Sequence, residues 1–354
     1  MIPTIAFLRY TDDMKILVSV ALWIYIVPAL FAREPVIREQ VIMGTFAHLR
    51  LPVSRAEDAG KIFGAMRSAE RSLSSFRDDG GTARLNRLRR IEADETLLRA
   101  VSYCRSLFEM SGGYFDCTIG SLTRSLYRFG ERGAAVPSEN ERRVARVGMD
   151  GVLVQGGVVE LEEGIVLDLG GLGKGLGVDM AAEEAKRLGI KSAVIGLSGD
   201  IRCLGPCEVA VENPFGGVAG AVVNEEGELG ISTSGIYRRY IGTVRNNHLI
   251  DPYKKESAQG LVSVTLAAGA SNTLLDGLAT AVALMPLGSA IELLRDKKID
   301  ALLIAPDGTF LRLGEKIRAY PDSLGGSILH PSLSPQEVSR YLKRLQRSEQ
   351  PKGF

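Results

Sequence analysis

The chain has 354 residues, with 43 lysines and arginines against 42 aspartates and glutamates, and is 45% hydrophobic. The near-cancelling charge excludes a bulk basic field for nucleic acid or an acidic one for basic partners, and the apolar content excludes a disordered chain. Forty glycines imply many tight turns, and 354 residues are enough for one large or two smaller domains with a sizeable core.

Lys15 opens an apolar run over residues 16–32 that includes Leu22, Trp23, Ile24, Tyr25 and Val27. Seventeen residues are short for a spanning helix, and Val27-Pro28-Ala29 and Ala32 offer small residues for cleavage. The run reads as a secretory signal, with an uncleaved membrane anchor as the alternative. Met14 followed by Lys15 would be a more ordinary start, which would make 1–13 a mis-assigned beginning. No cysteine directly follows the run, which argues against a lipid-anchored end. The four cysteines stand at 104, 117, 203 and 207. An exported protein could pair Cys203 with Cys207, but no histidine lies near enough for zinc, and buried thiols are the preferred reading.

Residues 40–51 are predicted as a strand entered through Met43-Gly44-Thr45. Helical spacing follows over 56–73 (Ala59, Ile62, Phe63, Met66, Ala69, Leu73), then a loop over 74–81 containing Phe76. A second helix is predicted over 95–110 and stopped by Ser111-Gly112-Gly113. Tyr114-Phe115-Asp116-Cys117-Thr118 comes next, an odd place for a carboxylate unless it hydrogen-bonds the loop.

Residues 152–169 read as paired strands leading into a glycine-rich segment, with a helix over 178–188 that stops at Gly189. A strand over 192–197 runs into Ser198-Gly199-Asp200, and 209–211, 219–223 and 229–232 read as further strands. Thr233 to Tyr237 reads as a turn, and 261–268 as a strand. Helices are predicted over 273–285 and 289–297, a hairpin at Asp307-Gly308, and an amphipathic helix over 334–347. Strands and helices mix without strict alternation, so the predicted class is α+β.

The glycine segment passes from Asp168 through Gly170, Gly171, Gly173 and Gly175, with Lys174 among them. Glycines let backbone approach a ligand, and free amides at a helix start attract anions, so the segment is a candidate phosphate cradle. It fits neither a P-loop (Lys174 precedes Gly175) nor a dinucleotide fingerprint (Leu176 stands where Gly is required). Read alone, it is equally a structural turn.

Asp276 and Thr280 lie four apart on one face of a predicted helix, amid Leu275, Leu278, Ala279, Ala281 and Val282. A lone aspartate there is costly unless something compensates it: a hard divalent cation, or else a capping or arginine-paired role. His248 occupies a polar turn with Asp251 three residues on and is a candidate base. His48 alternates on a strand and reads as structural, and His330 falls in a late loop.

Seven segments in order resemble the ApbE-type flavin transferases. They are Met43-Gly44-Thr45; Phe115-Asp116-Cys117-Thr118 with Gly120; Leu167-Asp168-Leu169-Gly170-Gly171-Leu172-Gly173-Lys174-Gly175; Ser198-Gly199-Asp200; Thr233-Ser234-Gly235; His248-Leu249-Ile250-Asp251-Pro252; and Asp276-Gly277-Leu278-Ala279-Thr280. The resemblance spans about residues 40–320 and implies an ApbE-like (T-fold-like) arrangement of mixed sheets packed with helices, one catalytic unit over 36–325, with 331–354 a C-terminal helix and tail.

It implies Mg²⁺-dependent transfer of FMN from FAD, the substrate, to a threonine of a partner flavoprotein, with release of AMP. The partner would be an exported or membrane redox protein, and the site periplasmic. By position, the Asp276 and Thr280 side chains and the Gly171 carbonyl would ligate the metal, and Lys174 would sit by the FAD phosphates. Met43 and Phe76 would contact the flavin; Phe115, Asp116, Cys117, Thr118, Ser198, Gly199, Asp200 and Thr233 would line the pocket; and His248 would take the threonine proton. The chain departs from the family pattern at Gly80, Ser198-Gly199, Ile236 and Lys255, which bears on the FAD contacts and the partner preference. Rival readings are an FAD pyrophosphatase using water and a non-catalytic periplasmic FAD-binding protein.

Overall fold

A computed structural model of the protein describes residues 34–326 and the backbone of 328 and 329. The predicted export segment, the helix over 334–347 and His330 lie outside the described residues. A sheet of nine strands forms the spine: β1 (Val36–Ile42), β2 (Thr45–Leu51), β6 (Ala193–Leu197), β7 (Asp200–Leu204), β10 (Glu228–Gly235), β15 (Ser263–Ala268), β16 (Asp300–Ile304), β17 (Phe310–Leu313) and β19 (Ile328–Leu329), in that spatial order. Neighbours run antiparallel except β17 and β19.

Two three-stranded sheets stand beside the spine: β3 (Arg90–Glu92), β5 (Val158–Leu161) and β4 (Val152–Gln155); and β18 (Ile317–Ala319), β9 (Val218–Asn224) and β8 (Cys207–Glu212). The ribbons β11 (Tyr240–Ile241) with β12 (Thr243–Asn247), and β13 (Ile250–Asp251) with β14 (Glu256–Ser257), complete the strands among the described residues. The main helices are α1 (Ala59–Leu73), α2 (Gly81–Leu88), α3 (Glu95–Met110), α4 (Glu139–Val144), α5 (Gly173–Arg187), α6 (Asn272–Leu284) and α7 (Leu287–Asp296).

Helices and antiparallel sheets mix as the α+β reading expects. All six residues of β15 are buried, which marks it as a strand covered on both faces. α5 packs between α1 and α6 and against β6 and β7. Asp94 caps α3 by accepting from the Leu97 amide at 2.8 Å, and Ser271 caps α6 by accepting from the Leu274 amide at 3.2 Å. Among the described residues no helix is long and apolar enough to cross a membrane.

Several sequence expectations are corrected. The strand over 40–51 is a hairpin, because Met43 and Gly44 adopt φ of 52° and 68° and turn the chain in two residues. The helix over 56–73 begins as a 3₁₀ segment, Val53–Asp58, and α2 has no counterpart in the sequence reading. Residues 165–169 pair only through an isolated parallel bridge of Val166 with Ile119, because the Asn86 side chain takes both the amide and the carbonyl of Leu167, each at 2.8 Å. Thr233 to Gly235 continue β10 rather than turning, since Thr233 pairs with Thr265 and Gly235 with Ser263.

Helix α5 starts at Gly173, five residues before the predicted start at 178. The intrinsic penalty of glycine in a helix, about 1 kcal/mol each, is offset by close packing. A Cβ at Gly175 would collide with the carbonyl oxygen of Asn272 in α6. The cysteines are not free thiols: Cys104 is bonded to Cys117 and Cys203 to Cys207. The first pair ties α3 to the Phe115–Thr118 segment, which follows it after the turn at residues 111–114.

Candidate active site

The close approach of α5 to α6 sets the geometry of the site. Because Gly175 has no side chain, its amide reaches Oδ2 of Asp276 at 3.0 Å. Lys174, now in the first turn of α5, places Nζ 3.0 Å from both carboxylate oxygens of Asp276 and 2.9 Å from Oδ2 of Asp200. Asp200 opens β7, and its Oδ1 accepts from the Ser232 hydroxyl at 2.6 Å. Both carboxylates are buried, at 2% and 0% exposure, and share the single, partly exposed Lys174 ammonium.

The electrostatic response follows from that imbalance. Burial, and next the Asp200 charge, push the Asp276 carboxyl above the usual range, while Lys174 and the Gly175 amide pull it back. Burial opposes the Lys174 charge, but Asp200 and Asp276 outweigh it and hold the ammonium above its ordinary value.

Thr280 lies one turn beyond Asp276, with Oγ1 3.3 Å from the Ser234 hydroxyl. A Cβ on Gly171 would lie 3.8 Å from that Oγ1 and 3.0 Å from the Phe115 ring, so the glycine bend meets Thr280 directly. The bend is held by Asp168, whose Oδ1 accepts from the Gly170 amide at 2.9 Å and Oδ2 from the Thr123 hydroxyl at 2.7 Å. Gly171 thus lies beside Thr280, one turn along α6 from Asp276.

This is a hard-oxygen donor set around a net negative charge, with the buried Oδ2 of Asp200 facing only the Lys174 ammonium. It suits Mg²⁺, which takes a few protein oxygens and completes its shell with phosphate and water.

The remaining predicted residues divide between lining and support. Ser198 has φ 58°, and a Cβ on Gly199 would come within 2.9 Å of the Thr233 carbonyl, so this turn presses on β10. The Thr233 hydroxyl pairs with Thr265 at 3.0 Å, on the opposite sheet face from Ser232 and Ser234. Oδ1 of Asp116 accepts from the amide and hydroxyl of Thr118 at 2.8 and 2.6 Å, and the Thr118 hydroxyl accepts from the Gly148 amide at 2.6 Å. These buried groups, with Cys117 in its disulfide, hold the segment that presents Phe115; burial raises the Asp116 carboxyl. Met43 donates its amide to Glu70 at 2.8 Å, and its Cε lies 3.3 Å from where a Cβ on Gly177 would stand, against α5.

Phe76 is 57% exposed, with the Arg124 guanidinium 3.8 Å over its ring and that of Arg239 at 5.7 Å. Arg239 leads to His248, whose Nδ1 lies 3.1 Å from the Arg239 carbonyl. A carbonyl only accepts, so Nδ1 carries the proton and Nε2 keeps its lone pair. Burial, with help from Arg239 and Lys174, lowers the imidazole to about 4.

Ser232 and Ser234 are site residues that the sequence reading missed. Strand alternation carries the signal, because period two puts both on the face opposite Thr233. Arg124, 48 residues from Phe76, carries no such signal.

Residues 43–303 match the ApbE family. The FAD:protein FMN transferase of Rhodobacter capsulatus is 32% identical over 254 residues, 66% of this chain and 47% of that protein, so the chain spans about half the length of that relative. The FAD:protein FMN transferase of Treponema pallidum is 28% identical over 306 residues, covering 76% of this chain and 84% of that one. Among solved structures, the flavin transferase ApbE from Vibrio cholerae superposes with a TM-score of 0.69 at 24% identity, covering 81% of this chain and 96% of the other. The ApbE protein from Thermotoga maritima gives 0.70 at 23%, covering 81% and 97%. At those identities the solved structures establish the shared fold, and the sequence match establishes the kinship. The chain belongs to the ApbE family.

Proposed function

We propose that the protein transfers FMN from FAD to a threonine hydroxyl of a partner flavoprotein and releases AMP. The observation that carries this reading is the Lys174 ammonium at the start of α5, placed against Asp200 and Asp276 and beside Thr280 and Gly171. Cleaving a diphosphate calls for charge neutralisation and alignment more than covalent chemistry. Asp276, Thr280 and the Gly171 carbonyl would hold Mg²⁺, which when bound neutralises phosphate charge and polarises the phosphorus.

Lys174 at the start of α5 binds the diphosphate oxygens. Met43 and Phe76 offer apolar surface for the flavin, with the buried Phe115 behind the glycine bend and the Ser198–Asp200 turn on the side of β10. Nε2 of His248 accepts the threonine proton as the oxygen attacks the FMN phosphorus. The new bond is threonine oxygen to phosphorus; the broken bond joins that phosphorus to the bridging oxygen, whose electron pair leaves with AMP. An imidazole held near 4 is neutral at physiological pH, so the acceptor lone pair is present without prior deprotonation.

Export is part of the proposal. The apolar run over 16–32 and the two disulfides support a periplasmic location, where oxidised cysteines persist and exported or membrane redox flavoproteins would serve as acceptors. The test incubates purified protein with FAD and Mg²⁺, with and without a threonine-bearing flavoprotein domain, and follows AMP. Acceptor-dependent AMP with FMN on the acceptor supports transfer. AMP at the same rate without acceptor supports the pyrophosphatase, and no AMP in either case supports a binding protein.

A further inference from the structure

Behind the Lys174 cluster lies a second buried layer drawn from the same three elements. α5 supplies Asp179, five residues after Lys174; β7 supplies Arg202, two after Asp200; and α6 supplies its first turn, ahead of Asp276. Nη2 of Arg202 donates to Oδ1 of Asp179 and to the Ala270 carbonyl, both at 2.9 Å. The same Oδ1 accepts from the Asn272 amide at 2.8 Å. Oδ2 accepts from the amide and hydroxyl of Thr273 at 2.8 and 2.6 Å. Asp179 and Arg202 are each 5% exposed.

Helix α6 does not need Asp179 in order to begin, because Ser271 already caps it through the Leu274 amide. Asp179 takes the two amides ahead of that one. Stability alone accounts poorly for the pair. Arg202 Nε is buried without a partner, and a buried ion pair gains little over apolar packing. What the pair does supply is direction. A carboxylate on α5 that addresses two consecutive amides of α6 fixes how far each helix slides and turns against the other. On one side of that junction, α5 and the bend before it carry Lys174 and Gly171; facing them, α6 carries Asp276 and Thr280, one and two turns on.

We propose that Asp179, held by Arg202, is a positioning residue that sets the spacing between the Gly171–Lys174 bend and the Asp276–Thr280 pair, and through it the site's affinity for a divalent cation. The inference rests on the metal-assisted reading above, whose failure it can be told apart from.

The test uses the full chain and its Asp179→Asn and Thr273→Val variants, with Mn²⁺ binding followed by electron paramagnetic resonance and FAD binding by flavin fluorescence in EDTA. Asp179→Asn keeps the volume but turns one acceptor into a donor against the amides. Losing an outer support of this kind is expected to weaken Mn²⁺ binding about tenfold or more, with metal-free FAD affinity within about twofold and transfer regained at saturating Mn²⁺. Thr273→Val removes only the hydroxyl contact and should shift Mn²⁺ affinity in the same direction by less; it decides the matter if Asp179→Asn does not fold. Unchanged Mn²⁺ affinity in the folded variants, or an equal loss of metal-free FAD binding, overturns the proposal. If the parent binds Mn²⁺ and shows the shift but transfers no FMN, the positioning role stands and the transferase reading falls.

Discussion

At the residue scale, the site's character comes from a shortage of positive charge. Lys174 serves both Asp200 and Asp276, leaving a buried anion where a diphosphate and its cation would bind. His248 contributes a different property. Its Nδ1–H is committed to the Arg239 carbonyl, and burial keeps the ring neutral down to about pH 4. His248→Ala should therefore slow transfer by about 100-fold or more, the usual contribution of a general base, while FAD affinity changes little; equal losses would make the ring a cofactor contact. The transfer rate should fall as the imidazole protonates near 4. The same group makes folding acid-sensitive. The unfolded imidazole titrates near 6.5, so the unfolded chain takes the proton first and stability declines as pH falls from 6.5 to about 4. A denaturation series across that range checks the direction, and His248→Gln should flatten it.

At the element scale, the α5–α6 junction is decisive, and it is where sequence reading was both strongest and weakest. The residues that meet there (Gly171, Lys174, Asp276 and Thr280) stood out in the sequence as a glycine segment and an i, i+4 pair. The helix start did not, because glycine is a poor helix former in isolation and only the facing backbone of Asn272 explains its presence. Gly175→Ala should cost about 1–3 kcal/mol, as overpacking does, and lower metal affinity as well, because the added carbon must push α5 from α6. A thermal melt with a parallel Mn²⁺ titration checks both; an unchanged melting temperature would contradict the packing argument.

Sequence also read Phe115–Thr118 as one run of pocket residues, whereas the structure uses Asp116, Cys117 and Thr118 as supports. Adjacent positions on an irregular segment have no period from which their facing could be read.

At the scale of the whole molecule, a broad antiparallel spine carries site residues on strand ends and helix starts, positions set by packing far from the chemistry. The Cys104–Cys117 bridge is an example, since it ties α3 to the segment bearing Phe115 across 13 residues of sequence. Spacing did not single out its partners, because the turn at residues 111–114 decides whether the segment folds back on α3. Replacing both cysteines with alanine should lower unfolding free energy by about 3 kcal/mol, the loop-closure value for a ring of this size, measured by denaturant titration. No loss would mean that the bridge constrains nothing in the unfolded chain.

In the proposed reaction, α5 and α6 together place a cation and Lys174 on a diphosphate so that a threonine can displace AMP. Its most direct test is the intact mass of a threonine-bearing flavoprotein domain after incubation with FAD and Mg²⁺ and either the parent protein or Asp276→Ala. The account predicts one added FMN on the threonine with the parent, and about 100-fold less or none with the variant, as expected when a preorganised charge site is removed. Equal FMN loading by both proteins would contradict it.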